Sequence, residues 1–248
     1  MAFPGRHIRR GSIASPVVTT LQPDGRPLVG RYVRLDAASV SDAPGLFAAL
    51  DDERVWAAGY GGGPAGRPAD VAAMRDVLQI AMDAAARRER QAYVVRLVAA
   101  DVGGAPVGTV IGTTSLGDCD LVNERAHIGW TAYGPRWWGG PVNAECKLLL
   151  LGHAFDDCGF GRVKLQTDGR NDRSQAAIAR LGATREGVLR RHQKRADGTF
   201  RDTVVFSLLR DDWPTVRAGL EARLPGSPTI RESTTFSMPA PPEQGLQA

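Results

Sequence analysis

Three strand-like segments in close succession limit what this chain can fold into. "AYVVRLVAA" (Ala92 to Ala100), "PVGTVIGTTSL" (Pro106 to Leu116) and "AHIGWTAY" (Ala126 to Tyr133) are rich in β-branched and aromatic residues, and only the links "DVGGA" and "GDCDLVNER" separate them. Links that short join antiparallel neighbours, because a parallel return needs a dozen or more residues. An antiparallel meander is therefore expected at the centre of the fold. The next segment departs from it: "PRWWGGPVNAECKLLLLGHAF" (Pro135 to Phe155) passes through a glycine-rich turn into a helix from about Val142 to Asp157, ahead of the strand "RVKLQTD" (Arg162 to Asp168). Such a strand-helix-strand passage permits one parallel pairing in a largely antiparallel sheet.

The flanking segments give an α+β chain. "RYVRLDAAS" reads as a strand, and a short helix follows around Asp42 to Leu50. Pro68 opens a second helix in which Val71, Met74, Val77, Leu78, Ala81 and Ala85 recur at helical spacing. After Asp168 come the helix "DRSQAAIARLG" (Asp172 to Gly182), two long strands around the turn "RADGTF", and the amphipathic "WPTVRAGLEARL". Residues 1–27 lack periodicity and read as a flexible N-terminal segment. Residues 225–248, rich in Pro, Ser and Thr, read as a disordered tail, leaving one domain over residues 28–224.

The bulk properties exclude several classes. A net charge of +4 is compatible with an acidic ligand, but "RHIRR" is short and has no interleaved aromatics, which argues against nucleic acid. Cys119, Cys146 and Cys158 lack metal-ligand spacing, so neither a disulfide framework nor a metal site is expected, and a reducing cytoplasm is the simplest location. No run of about eighteen apolar residues and no secretory h-region is present, so neither membrane insertion nor secretion is expected.

The turn before the helix carries the clearest chemistry. Backbone N–H groups near Trp138, Gly139, Gly140 and Val142 have no intrahelical acceptor, and the positive end of the helix dipole lies behind them. This is a phosphate or pyrophosphate site in form, with Arg136 available for a charge-assisted contact and Pro141 contributing no donor. The competing reading is an ordinary turn with Trp137 and Trp138 as packing residues. The sequence matches neither a Walker A loop nor a dinucleotide fingerprint.

The order strand, R-x-x-G-x-P, helix, "RVKLQTD", then "NDRSQAAIARLGATREG" resembles the GNAT superfamily of acyl-CoA N-acyltransferases, most closely its RimJ/RimL-type branch. "IGW" before the turn and "RDTVVFSLL" near the end strengthen the likeness, which spans about Leu28 to Leu224. The family's phosphate turn, Q/R-x-x-G-x-G/A, is matched at Arg136 and Gly139 and departs at Pro141. The resemblance implies a mixed, mainly antiparallel sheet with a splayed central strand pair and flanking helices. It also implies acetyl-CoA or another acyl-CoA as co-substrate and direct transfer to a primary amine, at a protein N-terminus or on a small molecule. Ile128, Gly129, Trp130 and Thr131 would then line the cofactor arm. Arg136, Trp138, Gly139, Gly140, Val142, Asn143, Asn171, Arg173 and Ser174 would complete the cofactor site.

Direct transfer requires a neutral amine, a donor to the carbonyl oxygen and a proton for the departing thiolate. At pH 7 a reference lysine is only about 0.04% neutral, whereas an α-amine is roughly 10 to 15% neutral, so an α-amine needs little help from a base. Glu124, His127 and His192 are the candidate bases, against the plainer reading of packing or hydrogen-bonding residues. Ser174 is either the cap of the helix that follows "ND" or, by the resemblance, the proton donor to sulfur. The loop "GYGGGPAG" (Gly59 to Gly66) follows no strand and is expected to be a mobile wall of the acceptor site. Glu145 and His153 share a helix face without a third metal ligand, and Cys146 lacks a spaced base. A non-catalytic acyl-CoA-sensing module is the alternative of a different class. The acceptor, the acyl group and the oligomeric state, a homodimer included, stay open.

Overall fold

The computed structural model of the protein describes residues 19–57, 59–99, 104–195 and 197–225. Eight strands, β1 (Leu28–Val29), β2 (Val33–Ala37), β3 (Arg90–Leu97), β4 (Val110–Asp120), β5 (Arg125–Tyr133), β6 (Arg162–Asp168), β7 (Thr184–Lys194) and β8 (Phe200–Leu209), form one sheet in the order β1-β2-β3-β4-β5-β6-β8-β7. The expected meander is β3-β4-β5. Its middle strand starts at Val110 rather than Pro106, because the Thr109 N–H donates to the Pro106 carbonyl (3.1 Å) and the Gly108 N–H to the Leu97 carbonyl (2.8 Å), closing a turn over those residues. Positions 100–103, at the end of the first expected strand and in the link after it, lie outside the described residues.

Every pairing is antiparallel except β5 with β6, and that one is short. Arg125, Ala126 and His127 pair with Arg162, Val163 and Lys164, and the strands then part. β4 holds the far edge of β5 and β8 holds the far edge of β6, so the divergence leaves a wedge open on the backbone of Ile128 to Tyr133. A bulge marks the opening. Between the pairs Thr113–Ala132 and Ser115–Gly129, β5 sets two residues against Thr114 alone, and Trp130 takes a φ of 49°. A bulge bends its strand, and the left-handed backbone of Trp130 is a strained conformation for a side chain of that size.

Helices cover both faces. α1 (Ala43–Leu50), α2 (Glu53–Ala57) and α3 (Val71–Ala86) pack on one, where Leu46, Leu50, Trp56, Met74 and Leu78 meet Val94 and Ala132. α4 (Pro141–Gly152), α5 (Asp172–Ala179) and α6 (Trp213–Glu221) contribute to the larger core with Tyr93, Ile128, Phe160, Leu165 and Phe206. The Asp70 carboxylate caps α3 by accepting the Ala73 N–H (2.8 Å). The helix expected to reach Asp157 is α-helical only to Gly152 and ends in one π-helical turn, His153–Asp157.

A buried carboxylate ties α4 to the edge of the sheet. Glu145 accepts the backbone N–H groups of Arg31, Tyr32 and Val33, each at 2.7 Å, from the turn between β1 and β2. Residues 19–27, assigned to the flexible segment from composition, are held against the domain. The Leu21 N–H donates to the Cys158 carbonyl (2.8 Å), the Gln22 amide to the Arg88 carbonyl (3.0 Å), and Arg26 pairs with Asp157 (2.5 Å). At the other end the Pro225 carbonyl accepts the Tyr32 hydroxyl (2.6 Å). Residues 1–18, with "RHIRR", and 226–248 lie outside the described residues.

Candidate active site

The turn ahead of α4 is built from backbone. Pro135–Trp137 forms one 3-10 turn in which the Trp138 N–H donates to the Pro135 carbonyl (3.2 Å). The Trp138 amide, expected as a free donor, is therefore used by the turn itself. The Gly139 and Gly140 amides have no backbone acceptor among the described residues. Gly140 occupies the N-cap of α4 without a side-chain cap, so the amides of Val142 and Asn143 in the first turn complete the set of donors. Gly139 has a φ of +79°, and a Cβ at Gly139 or Gly140 would meet no atom of the described residues within 4 Å beyond its immediate chain neighbours. The space in front of these donors is open. Trp138 is fixed by its indole N–H to the Tyr133 carbonyl (2.9 Å) and by the Arg173 guanidinium 3.3 Å from its ring centroid, which links the turn to α5. Arg136 is exposed and lies over the Trp137 ring (5.2 Å).

At the head of α5 the structure separates two roles. Asn171 is the N-cap, its Oδ1 accepting the Ser174 N–H at 2.9 Å. Ser174 is the third helical residue, and its hydroxyl makes no hydrogen bond to a described residue. The capping reading of Ser174 is thus corrected: the cap is Asn171.

The opposite face of the wedge carries side chains. His127 is buried at the last paired position of β5, with Nδ1 3.1 Å from Asp118 Oδ2, and Asp118 also pairs with Lys164 (3.2 Å). The buried Nε2 has no partner and lies against Gly129, where any Cβ would collide with it. Burial holds the imidazole below its ordinary value of 6.5 despite Asp118, so it is neutral at pH 7. The hydrogen bond from His127, with Lys164 beside it, takes Asp118 down to about 2. The Trp130 ring lies tilted against His127 with centroids 4.7 Å apart, and the Arg90 guanidinium lies 4.9 Å from the Trp130 centroid. The Gly59–Gly66 loop contains two single 3-10 turns, Tyr60–Gly62 and Pro64–Gly66, and packs on β5. Gly59 comes up to Asp168 at the end of β6, and Asp168 forms a buried ion pair with Arg195 (2.6 Å) that draws in the β7-β8 turn.

The remaining candidates are dispersed. Glu124 is exposed in the β4-β5 turn at the paired end of the wedge, where its backbone carbonyl accepts the N–H groups of Gly161 and Arg162. His192 is exposed on β7, Nδ1 3.1 Å from Thr203 Oγ1. The Ile128 side chain is in the core, so only its backbone faces the wedge, while Thr131 Oγ1 is engaged by Thr114 Oγ1 (2.8 Å) and accepts from Lys147 Nζ (3.1 Å). Burial lowers Lys147 to about 8 and lifts the Cys146 thiol to about 12. Among the described residues no three His, Cys, Asp or Glu side chains are arranged to hold a metal ion, and no helix is long and apolar enough to cross a membrane. Sequence reasoning did not single out Arg90, Asp118, Lys147, Lys164 or Asp168. Lys147 had a signal: it sits at helical spacing from the apolar Ala144, Leu150 and Leu151.

An acetyltransferase (GNAT) domain model matches residues 33–184, more than half of the chain. The chain belongs to the GNAT acetyltransferase family. The N-acetyltransferase p20 of Bacillus licheniformis is 27% identical over 58% of this chain and 76% of its own length. YdaF of Bacillus subtilis (strain 168), provisionally named a ribosomal N-acetyltransferase, is 31% identical over 43% of this chain and 57% of its own. Among solved structures, a GCN5-related N-acetyltransferase from Brucella melitensis is 27% identical, with a TM-score of 0.73 over 82% of this chain and 87% of that one. The protein is thus a GNAT N-acetyltransferase, and acetyl-CoA is its co-substrate. The open space at Gly139 and Gly140, the uncapped helix and the unpaired edge of β5 fit that group.

Proposed function

We propose that this GNAT enzyme acetylates a primary α-amine, at a protein N-terminus or on a small molecule, which approaches from the His127 face of the wedge. The observation that carries this reading is the buried, unpartnered Nε2 of His127 at the apex, on the face away from α4. Acetyl-CoA supplies an activated thioester. The amides of Gly139, Gly140, Val142 and Asn143 hold its phosphates, with Arg136 and Arg173 at the rim, and the free edge of Ile128 to Thr131 aligns its arm. His127 Nε2, neutral and fixed by Asp118, receives the amine proton directly or through water. Ser174 Oγ, free of described partners at the head of α5, donates a hydrogen bond to the departing sulfur, which leaves as the thiolate and takes its proton from water, while the amine proton on His127 passes to solvent. An α-amine suits this equipment because about a tenth of it is already neutral at pH 7. The provisional name of YdaF supports a protein N-terminus, and three free thiols suit a reducing cytoplasm.

Purified protein, acetyl-CoA and a panel of α-amines and lysine amines test the reading by thiol release and product mass. Acetylated α-amines at rates well above those of side-chain amines are expected. Thiol release with lysine side chains alone would overturn it.

A further inference from the structure

Two arginines on the acceptor face form no ion pair within 4.0 Å among the described residues. Arg90 opens β3 and Arg201 lies near the start of β8; both Nε atoms are buried without a hydrogen-bond partner, and neither guanidinium has a carboxylate within 4.0 Å among the described residues. Other semi-buried arginines are paired: Arg195 with Asp168, Arg96 with Asp36 and Asp42, and Arg162 with Glu186. The nearby acids are already committed. Asp168 takes two bonds from Arg195, and Asp118 is shared between His127 and Lys164. Burial pulls both Arg90 and Arg201 below their ordinary value despite the attraction of Asp118 and Asp168, the mark of a cation short of water.

Their positions bracket the site. Arg90 is one aromatic ring away from His127, through Trp130. Arg201 pairs with Gln193 in the hairpin beyond the end of β6, on the side where Gly59 and Arg195 meet Asp168. The phosphate-holding turn leads into α4, which packs on the other face, so these two forks are spare to that task. An unpaired, half-buried guanidinium is costly, and its planar set of donors matches a carboxylate.

We infer that the acceptor carries carboxylates beside its reacting amine, read by Arg90 and Arg201. The inference rests on the acyltransferase reading for the location of the acceptor. An acidic peptide N-terminus and a free acidic amino acid offer the same chemistry, and the experiment has an arm for each.

Calorimetry on the full-length protein saturated with desulfo-CoA measures binding without turnover. The probes are a peptide beginning Ser-Asp-Glu, its Ser-Asn-Gln and Ser-Lys-Lys counterparts, and glutamate against glutamine. The acidic member of at least one set should bind about tenfold or more tighter than its amide counterpart, the scale of one charge-assisted contact. Arg90→Gln and Arg201→Gln should each erase most of that preference, leave desulfo-CoA affinity unchanged and hold or raise Tm, since each removes an unpaired buried cation. Preference for the acidic peptide assigns the site to protein N-termini, and preference for glutamate to a small molecule. Acidic and amide probes binding within about threefold of each other, or a preference that survives both substitutions, would overturn the inference. Thiol release with acetyl-CoA is read separately: acidic binding without release leaves this inference standing and sinks the proposed reaction, whereas release without acidic preference does the reverse.

Discussion

The two approaches to the wedge between β5 and β6 are built on opposite plans. The side proposed for acetyl-CoA is contiguous and made of main chain: β5, the glycine turn and the first turn of α4 run without interruption from Ile128 to Asn143. The acceptor side is discontinuous and made of side chains, with Tyr60, Arg90, Asp118, His127, Asp168, His192 and Arg201 arriving from separate elements. Main-chain donors recognise what every acyl-CoA has in common, so that side needs a shape more than particular side chains. The acceptor side sets charge and proton position, and only long-range packing assembles it.

The sharpest break between the two sides should come from His127→Asn. This change removes the proposed proton acceptor while preserving a polar side chain opposite Asp118. A fall in kcat of about a hundredfold to ten-thousandfold is expected, with acetyl-CoA affinity unchanged. The pH profile tests the same residue. A folded-state value below 6.5 means that wild-type kcat/KM should be lost only as pH falls through that lower value, once the imidazole becomes charged. A loss under about threefold would place proton acceptance elsewhere, with His192 as the remaining histidine on the acceptor side.

Gly139→Val should act on the other side alone. It puts a branched side chain into the space before the phosphate donors, and an acetyl-CoA affinity lower by about tenfold to a hundredfold is expected. Beyond its chain neighbours no atom of the described residues lies within 4 Å of the new Cβ, so the stability cost should be confined to the left-handed backbone. Gly139→Asn, which tolerates that backbone, separates strain from blockage. If Asn restores full affinity, backbone strain alone limits the Val variant.

The smallest effect expected is at α5. Ser174→Ala should lower kcat by about tenfold with Tm nearly unchanged, because the hydroxyl neither caps the helix nor bonds to a described residue. Asn171→Ala should instead cost about 0.5–2 kcal/mol of stability, measurable by denaturant unfolding. Parallel losses of stability in both variants would return the cap to the serine.

The sequence made the contiguous side legible because each of its demands falls on neighbouring residues. β6 was read with its observed ends, and the glycine turn was assigned its donors apart from Trp138, whose amide depends on a 3-10 closure that composition does not announce. The five-residue α2 is too short to show a period, and β4 was misplaced because Pro106 to Thr109 carry strand-like residues into a turn. On the acceptor side Glu124 and His127 are three residues apart and looked equivalent. They differ in their distance from the point where two strands separate, which only the register fixes. Arg90 and Arg201 stood out for nothing in their local sequence; what distinguishes them is that the acids near them, Asp118 and Asp168, are paired to other side chains.

The clamp at Glu145 gives the contiguous side a long memory of the chain. Its carboxylate must meet amides 112 to 114 residues earlier before α4 can seat. During synthesis, therefore, the phosphate turn cannot take its final setting from its own neighbourhood. It waits for the amino-terminal edge of the sheet to be in place, and the entropic cost of closing so long a span is met only when the intervening strands have already drawn its ends together. A nicked chain that has lost that edge would keep the motif but leave the Glu145 carboxylate without the three amides that satisfy it, so the setting of the turn depends on the first strands of the sheet.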